Sequence, residues 1–165
     1  MSELVSIIVN CYNGEKYLKK TLDSIQKQIY KNWELIFWDN KSTDNSKKIL
    51  KNFKDRRIKY FYSKKFNTLY KSRNLAIKKT KGNFVCFLDT DDFWKKNKLK
   101  EQINIMLKKN CDIIYSNYQI KNERKNTLLL RTKNQKTIGN ETQKLLNDYS
   151  LGILTVMVKK KVFKK

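Results

Sequence analysis

The feature that most constrains this chain is an alternation of two hydrophobic rhythms. Short apolar runs, rich in β-branched residues, give way to longer stretches in which apolar residues recur every third or fourth position. Leu4 to Val9 (LVSIIV) is short and continuous, which reads as a strand buried on both faces. Asn13 and Gly14 break the chain, and Leu18, Leu22 and Ile25 follow at helical spacing. Trp33 to Trp38 is a second strand, and Ser42 and Thr43 are placed to cap a helix carrying Ile49, Leu50 and Phe53. A third strand is expected over Ile58 to Tyr62. A helix over Leu69 to Thr80 follows, with Gly82 where a helix C-terminus favours glycine. Phe84 to Leu88 is the fourth strand, Leu99, Ile103, Met106 and Leu107 mark another helix, and a fifth strand lies near Ile113 to Tyr115. This order predicts an α/β fold, a mostly parallel sheet with helices on both faces. Past residue 120 the period is lost. A helix over Glu141 to Asn147 and a strand over Leu154 to Val158 are the elements expected there.

No Pro, Gly or Ser-rich linker and no repeat divides the 165 residues, so one domain over 1–165 is expected. With 39% hydrophobic and 12% aromatic residues, the chain can bury a core. No apolar run approaches the roughly 20 residues that span a bilayer, and the N-terminus has no secretory pattern. A cytoplasmic protein is the expectation. The three cysteines, Cys11, Cys86 and Cys111, are odd in number and have no metal-site spacing, which points to reduced thiols. There is no histidine, which removes imidazole catalysis. The net charge of +23 invites a nucleic-acid reading. Yet the cations are mainly lysines spread along the whole chain, and the aromatics fall in strands and not in an exposed stacking stripe. No specific nucleic-acid partner is expected. Peripheral contact with an anionic membrane is open to such a surface, at about 1 kcal/mol per lysine near the lipid.

Ligands of parallel sheets bind outside the carboxyl ends of the strands. Three strands here end in polar residues: Asn10 to Asn13, Asp39, and Asp89 to Asp92. Asp89 and Asp91 form a D-x-D pair whose carboxylates can share a hard divalent ion. The alternative is a turn in which Asp91 or Asp92 caps the next helix. Asp39 can accept from a base N–H or a ribose hydroxyl, or simply close an Asx-turn toward Ser42. Tyr12 and Asn13 can meet a ligand base, or pack on and cap the first helix. Arg73 can bind phosphate, or be a solvated cation on an amphipathic helix. No P-loop, G-x-G-x-x-G or G-x-S-x-G is present.

The segments VSIIVNCYNGEKYLKKTLDSI, WELIFWDNKSTDNS, KSRNLAIKKTKG and FVCFLDTDDFW, in this order, resemble the nucleotide-binding part of family 2 glycosyltransferases of the GT-A (Rossmann-like) fold. The tail TVMVKKKVF resembles a later strand of that family. The resemblance implies an inverting, metal-dependent transfer of a sugar from a UDP-linked donor to a glycan or lipid-linked acceptor, in bacterial surface-polysaccharide assembly. Asn10, Tyr12 and Asn13 would line the base pocket, with Tyr12 stacking on uracil. Asp39 would accept from the uracil ring N–H, and Arg73 would lie near the base or diphosphate. Asp89 would meet the ribose or metal-bound waters, and Asp91 would ligate Mn²⁺ or Mg²⁺. Asp92 and Trp94 would begin the acceptor side. The family commonly has Pro near Asn10 and Asp-Gly where Asn40-Lys41 stands. Its general-base carboxylate follows a strand like TVMVKKKVF, and so is expected beyond Lys165; the late acids Glu141 and Asp148 do not sit in that motif. A non-catalytic nucleotide-sugar-binding remnant is the competing expectation.

Overall fold

The computed structural model describes residues 2–122, 125, 127–131 and 151–164. Along the chain run β1 (Val5–Cys11), α1 (Glu15–Gln26), β2 (Trp33–Asp39), α2 (Ser46–Asn52), β3 (Ile58–Tyr62), α3 (Leu69–Ile77), β4 (Phe84–Phe87) and α4 (Lys98–Lys109). They are followed by β5 (Ile113–Ile114), β6 (Tyr118–Asn122), β7 (Thr127–Arg131) and β8 (Met157–Lys159). Six strands form one sheet in the order β3-β2-β1-β4-β8-β5. β1 pairs in parallel with β2 and β4, and β2 with β3, while β8 runs antiparallel to both β4 and β5. β6 and β7 make a separate antiparallel hairpin. The expected mostly parallel sheet is therefore present.

The side chains of β1 alternate between two cores, as the strand period requires. Val5, Ile7, Val9 and Cys11 join Leu18, Leu22 and Ile25 of α1 with Leu99, Ile103 and Met106 of α4. Ile8 joins Ile36, Trp38, Val85 and Ala76 of α3 on the opposite face. Burial on both faces explains the near-continuous apolar runs of β1 and β2, whose interruptions Ser6 and Glu34 bond to each other at 2.7 Å. Among the described residues no helix is long and apolar enough to cross a membrane.

Several local expectations are corrected. Ser42 and Thr43 do not cap α2, which starts at Ser46 behind Asn45. α3 ends at Ile77, short of Thr80, so Gly82 is not its C-cap. Gly82 is needed because a Cβ there would lie 2.5 Å from the Leu4 carbonyl oxygen and 2.8 Å from the Ser6 nitrogen. The strand expected over Leu154 to Val158 is a 3₁₀ turn over Ile153–Thr155 followed by β8, which starts at Met157. Asp91 and Asp92 cap no helix, since α4 begins at Lys98 behind Asn97. Asn13 does not cap α1 through its side chain; Gly14 holds the cap position. The helix expected over Glu141 to Asn147, and the acids Glu141 and Asp148, lie outside the described residues.

Candidate active site

The β1–α1 turn is built around backbone groups that the helix itself cannot satisfy. The first N–H groups of a helix lack internal acceptors. Here the loop before α2 and the first residue of α2 supply them: Gly14 N–H donates to Ser46 Oγ at 3.0 Å and Glu15 N–H to Asp44 Oδ2 at 2.9 Å. Asn13, at φ 51°, donates its N–H to Ser42 Oγ at 3.1 Å, and its side-chain oxygen accepts from Thr43 N–H at 2.8 Å. The hydroxyl-rich stretch thus clamps two strand ends together. Tyr12 projects from this turn, 54% exposed, with its ring edge-on to the exposed Phe66, centroids 4.7 Å apart. Asn10 sits just before it, its Nδ2 buried and without a hydrogen-bond partner among the described residues.

Asp39, at the end of β2, is only 1% exposed. Its Oδ1 accepts from the Ser42 N–H at 2.7 Å, the Asx-turn foreseen as one alternative. Its Oδ2 accepts from the Tyr60 hydroxyl of β3 at 2.8 Å. Burial, and the bond to this carboxylate, push the Tyr60 phenol well above its ordinary range, so it acts as a neutral donor. Asn40 accepts from Asn67 N–H at 3.0 Å and donates to the Asn67 carbonyl at 2.8 Å, which stitches the β3–α3 loop to the β2 end.

Arg73 of α3 reaches Asp89 at the end of β4, its Nη2 lying 2.9 and 3.0 Å from the two carboxylate oxygens. The Arg73 Nε is buried and unpartnered among the described residues. Asp91 is exposed, and no side chain among the described residues bonds to it. Asp92 is pushed up to about 6 by burial and by the neighbouring Asp91 and Asp89 charges. Among the described residues no three acidic or thiol groups converge as a ready metal cage. That donor set suits an ion that retains waters and takes phosphate oxygens, with one or two carboxylates from the protein.

The turn carrying these acids is held from beneath by α1. Thr21 Oγ1 lies 2.7 Å from the Thr90 carbonyl and 2.8 Å from the Asp92 carbonyl, its single proton shared between them. Ser24 Oγ accepts from Trp94 N–H at 3.2 Å, and Gln28 Nε2 donates to the Lys95 carbonyl at 2.9 Å. Gly14 lets Thr90 press close, since a Cβ at that position would lie 2.9 Å from the Thr90 Cβ. Trp94, 6% exposed, donates its indole N–H to the Leu154 carbonyl at 2.9 Å. Beyond the turn opens a cleft of about 1270 Å³, lined by Asp91, Asp92, Trp94, α4 and the β6–β7 hairpin.

The structure thus places Asn10, Tyr12, Asn13, Asp39, Arg73, Asp89 and Asp91 along one edge of the sheet, and Asp92 and Trp94 on the wall of the adjoining cleft. Sequence reasoning missed Tyr60, Phe66, Asn67 and the row Thr21, Ser24, Gln28. Thr21 and Ser24 had a legible signal, for they interrupt the buried apolar stripe of α1 with small polar residues, whereas Gln28 lies past the end of that helix. Phe66 had none, because it lies in an irregular loop.

A sequence model described as "Glycosyl transferase family 2" matches residues 6–162. The chain is 40% identical over 156 residues to an Escherichia coli protein named UDP-Glc:alpha-D-GlcNAc-diphosphoundecaprenol beta-1,3-glucosyltransferase WfgD, covering 94% of this chain and 60% of that one. It is 35% identical over 119 residues to the putative teichuronic acid biosynthesis glycosyltransferase TuaG of Bacillus subtilis, covering 71% of this chain and 47% of that one. Among solved structures, S. aureus TarS 1-349 in complex with UDP-GlcNAc superposes with a TM-score of 0.75 at 25% identity, over 97% of this chain and 46% of that one. The chain therefore spans between about half and three-fifths of the length of these relatives.

Proposed function

Because the chain belongs to glycosyl transferase family 2, with the GT-A fold, we propose that residues 1–165 form a single donor-binding domain for a UDP-linked sugar. The observation that carries this reading is the convergence, at one sheet edge, of an exposed aromatic, a buried carboxylate, an arginine and an exposed carboxylate. Tyr12 stacks on the uracil and Asn13 shapes the turn beneath it. Asp39, whose two oxygens keep lone pairs beyond the bonds from the Ser42 N–H and the Tyr60 hydroxyl, accepts from the uracil ring N–H. Asn10 offers its unpartnered amide from the same strand end. Arg73 and Asp89 neutralise each other in the free protein. When the diphosphate arrives, Arg73 turns to phosphate oxygens and Asp89 to the ribose or to metal-bound waters. Asp91 would hold Mn²⁺ or Mg²⁺, which when bound would supply positive charge toward the departing nucleoside diphosphate. The acceptor enters past Asp92 and Trp94. Its hydroxyl oxygen bonds to the anomeric carbon with inversion as the sugar–phosphate bond breaks, the nucleoside diphosphate leaves, and the hydroxyl proton passes to a carboxylate general base.

Two named relatives support the setting, a glucosyltransferase acting on a diphosphoundecaprenol-linked sugar and a teichuronic acid enzyme. We therefore place this chain in bacterial surface-polysaccharide synthesis, with a glycan or lipid-linked acceptor, at the cytoplasmic membrane face. Calorimetry with UDP tests the donor site. Mn²⁺ is expected to tighten binding, and Asp91→Ala to remove at least ten-fold of that gain, about 1.4 kcal/mol. Metal-assisted binding left intact in Asp91→Ala would sink the metal assignment. Release of free sugar or transfer from UDP-sugar separates an active enzyme from a domain that binds without turnover.

A further inference from the structure

The loop between β3 and α3 is tied down at every turn, yet it holds a phenylalanine in solvent. Ser63 N–H donates to the Asp39 carbonyl at 2.8 Å. At the other end Asn40 takes the Asn67 N–H and carbonyl in its side-chain amide. Between these anchors the Ser63 hydroxyl donates to the Lys65 carbonyl at 2.6 Å. The Asn67 Nδ2 donates to Ser63 Oγ at 2.8 Å and to the same Lys65 carbonyl at 3.0 Å. A backbone bound this closely to the end of β2 fixes where its side chains start. Phe66 is nevertheless 59% exposed, a large apolar ring kept in water where burial would favour it.

The ring that Phe66 meets is Tyr12. The centroids lie 4.7 Å apart at an interplanar angle of 65°, the edge-to-face arrangement that ring quadrupoles favour. The Asn13 clamp sets the backbone under Tyr12 but does not reach its phenol. Among the described residues the Tyr12 hydroxyl makes no hydrogen bond. An exposed tyrosine without such a contact samples several staggered rotamers, and ordering it on binding costs affinity. The two rings stand too close for a base to enter between them, since a sandwich needs a stacking distance on each side. The base therefore stacks on a face of Tyr12 that Phe66 leaves open. We propose that Phe66 is a positioning residue of the donor site, holding the Tyr12 ring ready to stack on the nucleotide base. The inference rests on the donor reading above, in which Tyr12 stacks on uracil, and adds the residue that orders it beforehand. Because the loop hangs from Asp39 and Asn40, one frame sets both the stacking ring and the carboxylate that reads the base.

Calorimetry of the whole chain with UDP, and separately with pyrophosphate and Mn²⁺, tests this. Phe66→Ala is expected to weaken UDP binding about two- to ten-fold, the equivalent of ordering one side chain, and to leave pyrophosphate binding as it was. Phe66→Tyr keeps a ring in place and should restore UDP affinity. In a Tyr12→Ala background, Phe66→Ala should bring no further loss. Undiminished UDP affinity in Phe66→Ala, an equal loss for UDP and pyrophosphate, no rescue by Phe66→Tyr, or a further loss in the Tyr12→Ala background overturns the proposal. Should Phe66→Ala fail to fold, Phe66→Leu takes its place with the same outcomes. In the free unmodified chain the Tyr12 Hα–Hβ couplings should report a single χ1 rotamer, and averaged couplings overturn the proposal as well. UDP affinity unchanged in Tyr12→Ala discards the stacking reading and this inference with it. A loss in Tyr12→Ala with none in Phe66→Ala discards the inference alone.

Discussion

At the scale of single residues, Tyr60 and the Ser42 N–H hold the two oxygens of Asp39 at 2.8 and 2.7 Å. A carboxylate is an acceptor only, so a third partner must be a donor. Uracil has an N–H at the ring position where cytosine has a bare nitrogen, and this is how a buried Asp39 would tell them apart. Tyr60 then acts as a positioning residue, fixing where the spare lone pairs point. Tyr60→Phe is expected to weaken UDP binding by about 0.5–1.5 kcal/mol, the net worth of one hydrogen bond, while CDP binding stays as it was. Calorimetry with both nucleotides checks this, and an equal loss for the two would remove Tyr60 from base selection. None of this was legible locally. Asp39 was foreseen as a candidate from its place at a strand end, but its partner Tyr60 lies on another strand.

At the scale of elements, α1 does more than cover the sheet. Its apolar face, Leu18, Leu22 and Ile25, was readable from spacing alone and packs as expected. Its buried hydroxyl Thr21 instead holds the acidic turn through two carbonyls. Thr21→Val keeps the shape and removes that proton, leaving buried carbonyl oxygens unsatisfied at about 1–3 kcal/mol. The expected result is a lower urea midpoint together with weaker Mn²⁺-assisted UDP binding, measured on one preparation. Metal-assisted binding that stays at the unmodified level would mean that the turn does not depend on α1. The loop before α2 teaches a related lesson. Ser42 and Thr43 carry capping chemistry in the sequence, and the neighbouring acid Asp44 and Ser46 do cap a helix, but it is α1. Capping propensity says that a side chain will satisfy orphan N–H groups and leaves open whose.

At the scale of the whole molecule, the edge of the sheet opposite the site is locked by a buried charge. Glu34 on β2 accepts from Ser6 Oγ at 2.7 Å, from Lys59 Nζ, and from the Lys81 and Gly82 N–H groups. Burial alone would raise its carboxyl, but these donors outweigh burial and hold it below the usual range. The bonds from Arg57 hold Asp55 low as well. A carboxyl depressed on folding stabilises the fold above its unfolded pKa, and that contribution is lost as pH falls through the folded one. The contributions of Glu34 and Asp55 should hold steady down to the ordinary carboxyl range, about 4, and decline below it. Asp92, raised to about 6, should add stability as pH falls from about 6 toward 4. Urea midpoints against pH test this, and Glu34→Gln should lower the neutral plateau and flatten the acid slope. The charge of +23 bears on the proposed membrane contact. Co-sedimentation with phosphatidylserine vesicles is expected at low salt and should fall several-fold at 0.5 M, where the Debye length is about 4 Å. Binding that is insensitive to salt would exclude a lysine-driven contact.

What the sequence by itself determined was the kind and order of elements, and which strand ends carry polar residues. Those signals are local: β-branched runs, helical spacing and turn residues each act within one segment. The tertiary structure decided the partners of the buried polar groups. Arg73 meets Asp89, Tyr60 meets Asp39, Thr21 meets the acidic turn, and Gln102 meets the Thr155 carbonyl. The reason is physical. A buried polar atom must find its complement in three dimensions, and only the strand order brings those complements within reach.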